Sequence, residues 1–472
     1  MPAIFGEHMV LQHGVTLPIW GWADPGEHVM VSFADRYEET VADSRGNWRV
    51  TLRPLLKCAE PTILVINGNN RIEIDDVIVG DVWICAGEGN MSFPLSDAAS
   101  GVGNRESLKD RELRFFVMEK HAARSPDHHG EGHWSVCTPE SAPSFSAIGY
   151  FFARDIRSSQ HLPIGMIQCA WEETPAQAWI SLPGLSKSPS FVSYLGEFFQ
   201  AKHSSNFKNQ PKDLPSGLYN GMIAPLIPYA MTGVIWYQGE SNEGKGSLQY
   251  RRLLPRLIRD WREQWGQGPF PFFFISLAGF GENDESLVEE FPRSGAAAGK
   301  TWPWIREGME STLTLPFTGM AVASDLGVSG ERQPPDKLDA ARRLALLARH
   351  RVYGEKLTDS GPVYHGMTLE GEKIRIRFGS VGSGLTLGLS PWESDAITPS
   401  LSTHLRGFAI SGDDRKWYPA NAVIEGDTVL LSSEAIHRPV AVRYNWKGFP
   451  KGNLYNKEGL PAAPFRTDSD QP

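Results

Sequence analysis

The stretch Gly80-Asp-Val-Trp-Ile-Cys-Ala-Gly-Glu-Gly-Asn-Met-Ser-Phe-Pro-Leu-Ser96 decides the fold. Val82 to Ala86 is apolar and β-prone, and the run stops at Gly87. Glu88, Gly89 and Asn90 form a polar turn that leads into a helix start at Met91. Open α/β sheets build their sites from this strand, Gly-rich turn and helix start, at the carboxyl ends of the strands.

On the amino-terminal side, residues 1–76 alternate short apolar runs with Gly, Asp and Asn turns: Leu17–Trp20, His28–Phe33, Asn47–Leu52 and Thr62–Ile66. That rhythm predicts a β-sandwich. Residues 77–350 alternate strands with longer helical periods. Tyr250, Leu254, Leu257, Ile258, Trp261 and Trp265 recur at helical spacing over Ser247–Trp265, with Pro255 out of place near the first turns. Phe270–Ser276 reads as a buried parallel strand, and residues 337–350 as a second amphipathic helix. Residues 351–472 return to strands and turns, a second β-domain. The charged, then Gly/Ala-rich stretch Gly281–Thr301 reads as a surface insertion.

Composition sets outer bounds. A chain of 472 residues has length for two or three domains. Its 41% apolar and 21% charged content is that of a globular protein, and a net charge of −9 argues against nucleic acid as a partner. No run approaches the roughly 18 apolar residues of a membrane span. Cys58, Cys85, Cys137 and Cys169 lack metal-ligand spacing and read as buried thiols. His128, His129 and His133 sit in one loop without other placed ligands, so no metal and no cofactor is expected. His133 is instead a candidate contact to substrate.

The opening stretch resembles a motif of the sialate O-acetylesterases, a branch of the SGNH hydrolases. That motif reads roughly W-L-C-S-G-Q-S-N-M, and its second Ser is the nucleophile. Trp83, Cys85, Gly87, Asn90 and Met91 match, and Gly89 stands in the nucleophile's place. The resemblance extends over Leu218–Asn242, Tyr250–Phe273, Thr318–Val322 and Gly452–Pro461. It implies an α/β fold, an SGNH-type three-layer α/β/α domain (77–350) flanked by β-sandwich-like domains (1–76 and 351–472). The family is mostly exported, which implies a periplasmic or extracellular place with the signal absent from this chain; a cytoplasmic place is the alternative.

The family hydrolyses esters with a Ser nucleophile, a His base oriented by an acid, and donors for the oxyanion. The donor Asn is present as Asn242. The block S-S-W-G-G-T-P-A-E-A-W reads C-A-W-E-E-T-P-A-Q-A-W here, so Glu172 and Glu173 replace paired glycines. Two carboxylates at that place are expected to oppose a forming oxyanion. The family's D-I-H-P aligns Glu331 with Asp and Gln333 with His, and Gln is no general base near neutral pH. An ordinary Ser mechanism is therefore not expected.

The replacements suggest different chemistry. Glu88 stands where the family has Gln, and Glu240 is retained. Carboxylates on either side of a sugar bond are the equipment of glycoside hydrolysis, one protonated and one ionised. The sequence thus predicts a sialidase-like glycoside hydrolase of sialylated or related glycans. Its catalytic candidates are Glu88, Glu172, Glu173 and Glu331. The substrate contacts are Gly89, Asn90, Gln238, Glu240, Asn242, Arg332, Gln333 and His133. Arg332 is the candidate bidentate partner for a sialoside carboxylate, its other reading being a solvated surface Arg. The alternatives are an inactive glycan-binding descendant and a divergent sialate O-acetylesterase acting on O-acetylated sugars.

Overall fold

The computed structural model describes residues 1–100, 108–203, 212–244, 246–282, 288, 299–388 and 404–469. Two compact units form, residues 1–238 with 255–272, and residues 239–254 with 273–472. Most of the predicted Gly281–Thr301 insertion (283–287 and 289–298) lies outside the described residues.

The first unit begins with β1 (Val10–Gln12), β2 (Leu17–Trp22), β3 (His28–Phe33), β4 (Arg36–Val41), β5 (Asn47–Leu52) and β6 (Cys58–Asn67). β2 pairs antiparallel with β5, and β3 lies between β4 and β6. Alternation along β5, exposed then buried, is the period of a strand with one wet face. β7 (Arg71–Gly87) has two environments and two patterns. Its first half is largely exposed and pairs antiparallel with β6, with Val65 opposite Glu73. From Val77 to Gly87 every residue is buried, and the strand runs without a break across the 76/77 boundary that the composition suggests.

The buried half of β7 is central to the sheet. After the short α1 (Gly89–Ser92) come β8 (Asp110–Met118), β9 (Gly132–Cys137), α2 (Ala147–Gln160), β10 (Ile164–Ala170), the helices α3 (Leu182–Ser186) and α4 (Val192–His203), and β11 (Gly233–Tyr237). Their order is β11–β7–β10–β8–β9. β10 and β11 flank β7 in parallel, with Gly165 opposite Val82 and Val234 opposite Ile84. The uninterrupted apolar runs are what a strand covered on both faces requires. Trp83 meets Phe152 of α2 edge-on at 5.0 Å, and Trp236 lies between Trp179 and Trp261 at 6.0 and 5.9 Å. Trp261 belongs to α5 (Gly246–Trp265), which continues through Pro255 although the ring removes one backbone donor.

Two polar clusters among the described residues centre on buried carboxylates, Asp81 and Asp260. Asp81 Oδ1 accepts from Gln12 Nε2 at 2.8 Å and Thr232 Oγ1 at 2.9 Å, and His13 Nδ1 lies 2.9 Å away. Gln12 Oε1 in turn accepts from Val82 N–H. On α5, Asp260 accepts the amide and hydroxyl of Ser181, both at 2.7 Å. Ser181 also caps the helix that follows it by accepting from Gly184 N–H. Burial raises the Asp260 pKa, and the Ser181 bonds oppose that rise.

In the second unit, β12 (Phe272–Ile275) neighbours β13 (Thr318–Ala321), with α6 (Trp302–Ser311) and α7 (Leu338–Arg351) beyond. The predicted second helix is α7. Arg306 of α6 is buried and donates to the carbonyls of Leu277, Ala278, Lys447 and Gly448. Asp325 takes a bidentate bond from Arg343 at 2.6 and 2.7 Å and a third from Tyr455 at 2.9 Å. The carboxyl-terminal strands form a sheet containing Val363–Glu370 and Lys373–Gly379, and another containing Phe408–Gly412 and Pro439–Tyr444. Ile374, Ile376, Ile410, Val429, Leu431 and Val442 fill one core there.

The α/β class is as expected. One cysteine is not: Cys85, Cys137 and Cys169 are buried, but Cys58 is exposed at the start of β6, where Cys58 and the three residues after it are all exposed. Three stability outcomes follow from the polar ties. Asp260→Ala removes both Ser181 bonds and should cost about 3 kcal/mol in urea unfolding. Asp325→Ala strands Arg343 and should cost about 3–5 kcal/mol. His13 has its pKa raised, chiefly by Asp81. Its contribution is therefore complete below the ordinary histidine value of about 6.5 and fades as pH rises through the raised value. His13→Gln should remove that slope from a stability–pH curve.

Candidate active site

The elbow after β7 is pinned by its backbone. Gly87 has φ of 142°, and a Cβ there would lie 2.0 Å from the Tyr237 carbonyl oxygen, so only glycine fits. Glu88 N–H donates to that same carbonyl at 3.0 Å, and the Glu88 carbonyl accepts from Met91 and Ser92 at 2.8 and 2.9 Å. Glu88 is extended at the N-cap position, yet its carboxylate makes no cap bond. Glu88, Gly89 and Asn90 are all buried. Gly89 opens α1 in helical backbone, a conformation open to every residue type. Local geometry thus demands glycine at 87, whereas the backbone conformation at 89 does not. Ser92, the nearest serine in sequence, turns its hydroxyl back to the Gly89 carbonyl at 3.4 Å.

The turn after β10 lies against this elbow. Trp171 N–H donates to the Gly87 carbonyl at 3.1 Å. Thr174 Oγ1 donates to the Trp171 carbonyl at 2.7 Å and accepts from Trp179 Nε1 at 3.1 Å. Fully buried Gln238, just past β11, donates to the Thr174 carbonyl at 3.1 Å. The turn therefore bridges the ends of β10, β7 and β11. At its tip Glu173 has φ of 58°, a left-handed conformation that costs an L-residue about 1–2 kcal/mol and explains why glycines suit this place. Glu172 pairs with Lys120 at 2.5 Å and Glu173 with Lys212 at 2.7 Å. These carboxylates were expected to act as free repelling charges. Instead each carries a lysine.

His133 lies elsewhere. It is exposed on β9 opposite Val117, and β8 and β10 stand between that strand and β7. The structure does not bring it to the elbow.

The second unit holds the other candidates. Glu240 and Asn242 are buried in a single 3-10 turn entered through Gly239 at φ of 152°. Arg332 Nη2 donates to the Glu240 carbonyl at 2.6 Å and to Glu243 Oε2 at 3.1 Å, and its guanidinium lies 5.7 Å from the Phe280 ring centre. That geometry fastens the loop before α7 to the 240–243 turn. Glu331 and Gln333 on either side are exposed.

Lys337 is the residue that the sequence reading missed. It is completely buried, donates to the Pro334 carbonyl, and has its pKa pushed down to about 7 by burial, against the pull of Glu240 and Asp336. A lysine in the altered Pro-Pro-Asp-Lys run was visible in the sequence. Its burial was not. Among the described residues no group of three or more His, Cys, Asp or Glu is placed to hold a metal.

Comparison with known proteins bears on what such an elbow does. A family model described as carbohydrate esterase, sialic acid-specific acetylesterase, matches residues 79–302. Human sialate O-acetylesterase is 29% identical over 493 residues, spanning 95% of this chain and 88% of that protein. The mouse sialate O-acetylesterase is 27% identical over 519 residues, 97% and 92% of the two chains. A crystal structure of a carbohydrate acetylesterase from Xanthomonas citri is 35% identical with a TM-score of 0.87, covering 99% of both chains. These relatives cleave acetyl esters, which overturns the reading as a glycoside hydrolase or sialidase. Carboxylates gathered by alignment were not evidence of glycosidic chemistry. On full-length likeness to a carbohydrate acetylesterase, this chain belongs to the sialate O-acetylesterase-like carbohydrate esterases.

Proposed function

We propose that this chain is a divergent carbohydrate O-acetylesterase that receives an O-acetylated sugar at the carboxyl end of β7. An O-acetylated sialic acid is the finer substrate reading, supported by the likeness to the sialate O-acetylesterases. The observation that carries the proposal is the elbow. The strand, the Gly87 contact and the helix start are all present, and buried Gly89 stands at the position that the alignment gives to the family's nucleophile.

Glycine forms no acyl-enzyme, so hydrolysis here uses water directly. A water held at Gly89 gives its proton to the Glu88 carboxylate as its oxygen bonds to the acetyl carbon. The carbonyl π-electron pair moves onto oxygen, giving a tetrahedral oxyanion. Collapse re-forms the carbonyl and breaks the bond to the sugar oxygen, which takes the proton back from Glu88. Acetic acid and the free sugar hydroxyl leave, and the enzyme is unchanged. Both residues sit on one pinned turn, which supplies the orientation that such a step needs.

A second reading is recognition of the acetylated sugar without turnover. It is favoured by Gly89 together with Gln333, which offers no imidazole. Acetate release from an O-acetylated sialoside, a neutral O-acetylated sugar and an aryl acetate separates the two. Release is expected, with Glu88→Gln lowering kcat by about 10²–10⁴ while leaving the circular dichroism spectrum unchanged. Gly89→Leu, which fills the water's space, should abolish release from every substrate. Saturable sugar binding by calorimetry with no acetate from wild type is the result of the binding reading. Unchanged kcat in Glu88→Gln removes Glu88 from the chemistry.

A further inference from the structure

The two lysine pairs beside the elbow are not explained by stability. Lys120 and Glu172 are 44% and 43% exposed at their side chains, and Glu173 is 81% exposed. Exposed pairs of this kind add little to folding. They are also distant in sequence, by 52 and 39 residues, so neither is a by-product of local chain geometry. Both close on the one turn that hydrogen-bonds to Gly87. Partial burial works against Glu172 ionising, but the Lys120 bond and the charges of Lys120 and Lys212 hold its pKa below the ordinary value. The turn thus carries two carboxylates and two ammonium groups, with no net charge.

We propose that Lys120 and Lys212 are positioning residues that cancel the charge of Glu172 and Glu173 beside the elbow, so that negative charge developing on a bound ester is not opposed. The inference rests on the esterase reading for its consequence, but the electrostatic claim stands apart from it. Without the lysines, two uncompensated carboxylates stand on the turn whose Trp171 amide binds the Gly87 carbonyl, next to the elbow where the ester's carbonyl electron pair moves onto oxygen as water adds. Fixed charges act most strongly where charge develops. The substitution of glycines by glutamates at this turn is then tolerated because the lysines accompany it.

The test compares wild type, the double variant Lys120→Gln/Lys212→Gln, and a quadruple variant adding Glu172→Gln/Glu173→Gln. With a neutral aryl acetate, the double variant should lose about tenfold in kcat, partly recovered at high salt, and the quadruple should return to near the wild-type rate. A purely structural role for the lysines predicts no recovery in the quadruple. Gly89→Cys introduced into each of the three gives a readout that needs no turnover. The pKa of the introduced thiol should rise by about one unit in the double background and fall back in the quadruple. An unmoved thiol pKa overturns the proposal whatever the activity. A thiol that shifts as expected, when the parent protein with Gly89 intact releases no acetate, keeps the electrostatic inference and overturns the esterase reading alone.

Discussion

Everything at the site depends on the close approach of the Gly87 backbone to the Tyr237 carbonyl. Parallel pairing of β7 with β11 brings these atoms so near that a single methyl at residue 87 is excluded. The same carbonyl accepts the Glu88 amide, so the chain leaves the sheet in one direction only. The Gly87 carbonyl binds Trp171, which fixes the turn after β10 as well. One contact therefore sets where Glu88, Gly89 and the Glu172–Glu173 tip stand.

Around this point the backbone geometry and the residue choices can be compared directly. Gly89 needs no glycine for its conformation, whereas Glu173 occupies a conformation in which glycine is at ease. Both departures run against local preference, the first by discarding a side chain and the second by adding strain. Strain that persists at such a turn is a signature of function more often than of neglect. The lysines that meet Glu172 and Glu173 fit that view, because they leave the turn electrically quiet. The second unit shows the same habit of holding polar groups in fixed pairs, with Arg332 fastened to the 240–243 turn and Arg343 to Asp325.

Much of the fold was legible. The apolar run of β7 and the helical periods of α5 and α7 are strong local signals; the two helices keep their ends within a residue, whereas β7 starts at Arg71, well before the run that announced it. Pro255 did not stop α5, because packing of Trp261 and its neighbours outweighs one lost donor. The elbow was legible for the same reason as β7. What surrounds it was not. Lys120 and Lys212 reach the turn only through tertiary approach, and nothing in their own neighbourhoods announces a partner. The burial of Lys337 and the outward place of His133 on β9 likewise follow from strand order, which no single segment contains. The glycosidase reading failed by counting carboxylates on an alignment without knowing which of them carry cations.

The central claim is that this elbow delivers an acetyl ester to water with no residue of the chain acylated. Rapid-quench mass spectrometry of the intact protein, during turnover of an O-acetylated sugar in ¹⁸O-water, tests it directly. The account predicts ¹⁸O in the released acetate and unmodified protein at every time point. An acetylated protein that forms and decays at the rate of acetate release would contradict it, and the modified residue would identify the nucleophile that this account says is absent.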